Sequence, residues 1–171
     1  MTGLVSRECF VGAMREVASS VTVVTTDGSC GRHGATVSAF SSVSADPPTV
    51  LVWLHSESRI AKAVEDNQNF CVNVLPEQSA EIADRFAGFH DKQVADRFSG
   101  IDTYGVLGVP PLIDGATGFQ CETQQTLRSG THLIVIGLVR NVLRSGARPL
   151  TYRDGSYHRV VPQKRISAAA K

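Results

Sequence analysis

Long apolar runs are missing from this chain. The longest, "TVLVWL" (49–54) and "HLIVIGLV" (132–139), fall well short of the ~20 residues that a membrane helix needs. The opening stretch "MTGLVSRECFVGAMREV" has no secretory h-region, so a cytoplasmic protein with no membrane role is expected. An excess of one charge is missing too: 17 Lys and Arg stand against 16 Asp and Glu, a net +1. That balance builds no field to gather a polyanion, and nucleic acid is not expected as a partner. Cysteine is sparse. Cys9, Cys30, Cys71 and Cys121 form no C-x-x-C pair, which argues for reduced thiols and against structural zinc. His33, His55, His90, His132 and His158 fall into no H-x-x-x-H or H-E-x-x-H pattern, and no metal is expected. There is no G-x-G-x-x-G, no G-x-x-x-x-G-K-[ST] and no G-x-S-x-G. A Rossmann dinucleotide site, a phosphate loop and a hydrolase nucleophile elbow therefore all lack their signatures, and any nucleotide must bind by other means.

What is present reads as a β-rich body with short helices. At 171 residues and 42% hydrophobic composition, one domain spanning residues 1–171 is expected. Ser6 can cap a first helix in which Phe10, Ala13, Met14 and Val17 share helical spacing, and "VTVVTTDG" follows as a strand. "HGATVSAFSSVSADPP" (33–48) reads as one extended strand that places Thr36, Ser38, Phe40, Ser42 and Ser44 on one face. Serine packs poorly in sheets, so this strip trades packing for hydroxyl donors. "TVLVWLH" is continuously apolar and is expected to be buried on both faces. Ser56 or Ser58 can cap a helix burying Ile60, Ala63 and Val64; "NFCVNVLP" is a strand; "EQSAEIADRFAG" is a helix stopped by Gly88. Two long antiparallel strands meet near Ser129 and Gly130, and a last hairpin turns at Asp154 and Gly155. Residues 165–171 read as a frayed tail. One local echo, "ADRFAG" (83–88) and "ADRFSG" (95–100), is too short and too few for a repeat architecture. Its plain reading has each Phe in the core and each Arg in solvent. The expected fold class is mainly β with helical caps, an antiparallel barrel.

"GATVSAFSSVSADPPTVLVWL", "NFCVNVL", "ADRFAG", "GTH" before an apolar strand and "PLTYRDGSYHRV" occur here in that order. In this the chain resembles, over nearly its whole length, the short-chain flavin reductases of two-component monooxygenases. The resemblance is closest to the reductase components of 4-hydroxyphenylacetate 3-monooxygenase and of chlorophenol monooxygenases. It implies a split β-barrel flavin-binding fold, a Greek-key antiparallel barrel, in a homodimer. It also implies an NADH- or NADPH-dependent reductase of FMN or FAD that hands reduced flavin to a partner monooxygenase, one acting on an aromatic substrate.

Residue by residue, the resemblance implies a flavin site at Arg32, His33, Gly34, Ala35, Thr36, Ser38 and Ala39, with hydroxyls from Thr36 and Ser38. The small side chains and backbone N–H groups of that strip suit a planar ring edged with carbonyls. Trp53, Leu54 and His55 are then expected to line the flavin, Ser58 and Arg59 to meet its phosphate, and Arg85 with Phe86 to close over it. Trp53 stands where the family commonly has a smaller residue. His132 is implied beside the nicotinamide, with Thr131 in place of the usual aspartate, and Tyr152, Arg153 and Tyr157 are further candidates for the same pocket. The implied chemistry is direct hydride transfer, with the flavin supplying the reactivity and the protein supplying position and charge. No side chain is assigned a proton transfer. Three alternatives stay open: reduction of another acceptor, such as a corrinoid or ferric complex; a flavin-binding electron-transfer module without turnover; and a structural or interaction domain of the split-barrel type.

Overall fold

The computed structural model describes residues 3–163; the expected frayed tail, 165–171, lies outside the described residues. In chain order the elements are helix α1 (Arg7–Arg15), strands β1 (Ser19–Ser20), β2 (Thr22–Thr26), β3 (His33–Val37), β4 (Phe40–Ala45) and β5 (Pro48–His55), and helix α2 (Arg59–Asn67). Strand β6 (Asn69–Val74), helix α3 (Ala80–Phe86) and strands β7 (Thr103–Tyr104), β8 (Leu112–Ile113), β9 (Thr117–Ser129), β10 (His132–Leu143), β11 (Leu150–Arg153) and β12 (Ser156–Arg159) follow.

Seven strands form one antiparallel sheet in the order β3-β2-β6-β9-β10-β5-β4, with β1-β11-β12 and β7-β8 as smaller sheets. The edge strands β3 and β4 are consecutive in sequence and joined only by Ser38 and Ala39. So short a link spans at most about 11 Å, whereas a flat seven-stranded sheet would hold its edges roughly 29 Å apart. The sheet must therefore curl until its edges approach, which is the geometry of a split barrel. The Trp53 N–H donating to the Ala39 carbonyl at 3.3 Å ties the link to β5.

The core divides into two clusters on opposite faces of β2. Val24 joins Val52, Leu54, Phe70, Val72, Leu133 and Val135 with the buried side of α2, while Val23 joins Ala83 and Phe86 of α3, Phe98 and Leu150. Every residue of β2 is buried, and its threonines satisfy their hydroxyls internally, Thr22 on the Val37 carbonyl at 2.8 Å and Thr25 on the Pro111 carbonyl at 2.6 Å.

Two sequence expectations change. β5 is not buried on both faces throughout: Val50, Val52 and Leu54 point inward, whereas on the other face Thr49 is buried, Leu51 half-buried and Trp53 40% exposed. The hydroxyl strip is broken at Ser38–Ala39 into two strands pairing with different partners, and the β4–β5 register shifts between Ser42 and Ser44. Its serines therefore do not share one continuous face. Helix α1 is capped as expected, Ser6 Oγ accepting the Cys9 N–H at 3.2 Å, yet it buries no residue.

Candidate functional site

The Ser58 side chain accepts the Ala61 N–H at 3.3 Å and donates to the His55 carbonyl at 2.6 Å, so one hydroxyl both caps α2 and fixes the turn leading into it. The N–H groups of Arg59 and Ile60 are then the first-turn donors that helix geometry leaves unpaired. Arg59 enters no salt bridge among the described residues. These groups open onto a cavity of about 740 Å³, which Arg32, His33, Gly34 and Ala35 of β3 and its approach also line. A free guanidinium beside a helix start is a site for an anion.

The second half of the echo and the residues just before it line the same cavity. Asp91, Val94, Ala95, Asp96, Arg97 and Phe98 face the cavity, a segment the sequence reading left out of the site. Arg97 reaches back in three directions: a two-point pair with Asp91 at 2.8 and 2.6 Å, and hydrogen bonds to the carbonyls of Phe86 at 2.8 Å and Gly34 at 3.3 Å. Its guanidinium holds the Asp91 carboxyl below the usual carboxylate range. Arg32 pairs with Asp96 at 3.1 Å and lies over the Phe98 ring at 4.4 Å. Phe98 meets Phe86 edge to face at 4.9 Å. The echo is thus a clasp. The two Phe rings lock inside, Arg97 binds the carbonyl of the first motif, and Arg85 in return donates to the Ser99 carbonyl. The repeated "DRF" is its trace in the sequence, but a pairing between its two copies has no periodicity by which to read it.

The other sequence candidates divide into three groups. His55 and His132 stand directly opposite on β5 and β10, their rings 5.8 Å apart, and the Ser56 N–H donates to the Thr131 carbonyl at 3.0 Å. "HSESR" and "SGTH" are thereby stapled into one surface. The Thr131 hydroxyl lies 3.0 Å from His132 Nδ1. Ser38 is exposed at the bend, while Thr36 spends its hydroxyl on the Ala83 carbonyl at 2.6 Å.

A second group stands behind the site. Leu54 and Phe86 are each 1% exposed and belong to the two core clusters, so their side chains lie in the core. Arg85 lines a separate cavity of about 270 Å³ with Glu81, Ile101 and Asp114. The third group, Tyr152, Arg153 and Tyr157, lies on the three-stranded sheet. There Tyr157 donates to Asp84 at 2.7 Å and Arg153 to the Glu16 carbonyl at 3.1 Å. Burial, and then the Asp84 bond, push the Tyr157 hydroxyl upward.

No group of three or more potential metal ligands occurs among the described residues. Burial pushes the Cys121 thiol up to about 12 and raises Cys71 as well, so neither is a ready nucleophile. No described helix is long and apolar enough to cross a membrane.

Residues 14–161 match the model of the flavin reductase like domain. The chain is 35% identical over 158 residues to the FMN reductase (NADH) RutF of Ancylobacter novellus, covering 91% of this chain and 86% of that protein. It is 36% identical over 157 residues to a probable flavin reductase of Rhizobium meliloti, covering 90% of this chain and 49% of that protein, so it spans about half the length of that relative. Among solved structures it is similar to the styrene monooxygenase flavin reductase of Pseudomonas putida S12, with a TM-score of 0.78 at 26% identity over 91% of this chain and 99% of that one.

Proposed function

Because the chain belongs to the flavin reductase-like domain family, we propose that it is an NAD(P)H-dependent reductase of FMN or FAD that passes reduced flavin to a partner monooxygenase. The observation that carries this reading is the cavity beside α2, where an unpaired Arg59 and a capped helix start face a space of about 740 Å³. A flavin nucleotide would fit these residues: Arg59 and the first-turn N–H groups would hold its phosphate, and the small side chains of the Ser38–Ala39 bend would leave backbone approachable to its ring. A bound flavin supplies the hydride acceptor for the nicotinamide.

The protein's own part is placement. Ser58 fixes the helix start, the Arg97 clasp holds the cavity wall, and the Ser56–Thr131 bond sets His132 beside the same surface. The Thr131 hydroxyl, 3.0 Å from Nδ1, holds the His132 ring, the candidate contact to the nicotinamide nucleotide. Because the reduced flavin must leave, a cavity with one unpaired cation suits the task better than a dense cationic cage.

The same reading includes a homodimer. Trp53, Ile134 and Leu127 stand directly opposite one another across β5, β10 and β9, on the face away from buried Leu54, Leu133 and Val135. That apolar row supports contact with a second copy. Four free cysteines support a cytoplasmic setting. The test is direct. The purified chain should oxidise NADH or NADPH only when FMN or FAD is added, with no oxygenase present. Absence of turnover with every nucleotide and flavin pairing would remove the reading.

A further inference from the structure

The cavity beside α2 is far larger than one phosphate requires, and its lining is of two kinds. Arg59 carries a charge with no ion-pair partner among the described residues. Arg32 is already neutralised by Asp96 at 3.1 Å and lies over the Phe98 ring at 4.4 Å, and the apolar Val94 and Ala95 line the same cavity. A guanidinium so paired is a poor phosphate ligand but remains a plane with two faces. Phe98 takes one. Arg32 keeps 42% of its side chain exposed while lining the cavity, which leaves the second face to stack on a flat aromatic ligand.

The two carboxylates there are also spent. Both oxygens of Asp91 accept from Arg97, and Asp96 accepts from Arg32 and from the Phe98 N–H at 2.9 Å. They therefore oppose a phosphate less than free carboxylates would.

We propose that this cavity takes the adenosine phosphate half of FAD, with the adenine against Arg32, so that FAD is preferred over FMN. The inference rests on the reading of Ser58 and Arg59 as the flavin phosphate anchor. FMN ends at its phosphate and would leave Arg32 without a ring to stack on, whereas the adenine of FAD would supply one.

Flavin titration of the full chain with FAD and with FMN, in the natural sequence, Arg32→Ala and Arg32→Lys, tests this, with NADH KM measured alongside and thermal melts as the folding control. The natural chain should bind FAD tighter by about tenfold, the scale of one good stacking contact. Arg32→Ala should bring the two flavins together by weakening FAD alone. Arg32→Lys keeps the charge but not the plane, and should behave the same way. Equal loss for FMN in Arg32→Ala would make Arg32 a phosphate ligand and overturn the proposal. Full FAD preference in Arg32→Lys would overturn it as well. A raised NADH KM with an unchanged FAD to FMN ratio would assign the adenosine pocket to the nicotinamide dinucleotide instead. Absence of any flavin binding in the natural chain would sink the underlying anchor reading, whereas equal FAD and FMN binding sinks only the adenosine pocket.

Discussion

Arg59 and His132 lie on one surface joined by the Ser56–Thr131 bond, yet the proposed chemistry gives them different ligands. Replacing each with alanine should separate the two binding events. Arg59→Ala removes a charge-assisted contact to the flavin phosphate, worth about 1.5–3 kcal/mol, so flavin affinity should fall by roughly tenfold or more while NADH KM stays near its starting value. His132→Ala should lower kcat/KM for the nicotinamide nucleotide by about 0.5–3 kcal/mol and leave flavin titration unchanged. Steady-state kinetics paired with flavin titration reads both. A joint loss of flavin binding and thermal stability in His132→Ala would instead make the histidine a structural residue of the β9–β10 turn.

Among the elements, the contact that most constrains the site is between β3 and the clasp. Gly34 sits where an added Cβ would come within 2.5 Å of the Phe86 ring and 3.1 Å of Phe98. Both rings are buried and edge to face, so neither can swing aside. Gly34→Ala should therefore destabilise the fold by about 1–3 kcal/mol through overpacking, read by chemical denaturation. It should also loosen the clasp, since the Gly34 carbonyl accepts from Arg97. An unchanged unfolding midpoint would mean that the two Phe rings have room to retreat. The helices were legible from their caps, Ser6 and Ser58, because a capping hydroxyl acts within three residues of itself. The turn at Asp154 and Gly155 was legible for the same reason: both take positive φ, 48° and 78°, which few residue types accept.

For the molecule as a whole, the outer face of β9, β10 and β5 is the feature a lone chain leaves unsatisfied. The row Trp53, Ile134 and Leu127 predicts a particle of twice the chain mass in light scattering after gel filtration. Leu127→Asp should shift that particle toward the monomer, because a charge placed opposite an apolar partner must be desolvated without compensation. A monomer in the natural chain at every concentration would remove the homodimer from the proposal. The apolar side of α1 is exposed, Phe10 by 58% and Met14 by 50%, although its residues share the helical spacing. Helical spacing says which residues share a side, but not whether anything lies against it.

The sequence by itself determined the elements whose causes are local: capped helices, β-branched strands, positive-φ turns and the order of motifs that marks the family. It also placed Ser58, Arg59 and His132 on the surface where the site is proposed. Only the tertiary structure decided what depends on closure of the sheet. That closure separates Thr36 from Ser38, sends Leu54 and Phe86 into the core, carries Tyr152, Arg153 and Tyr157 to another sheet, and lays Asp91 through Phe98 against β3. The physical reason is range. A cap or a turn is fixed by neighbours a few residues away, whereas the wall of this cavity joins β3 to side chains some sixty positions later, as Arg32 to Asp96 and Gly34 to Arg97. No local periodicity records such a pairing.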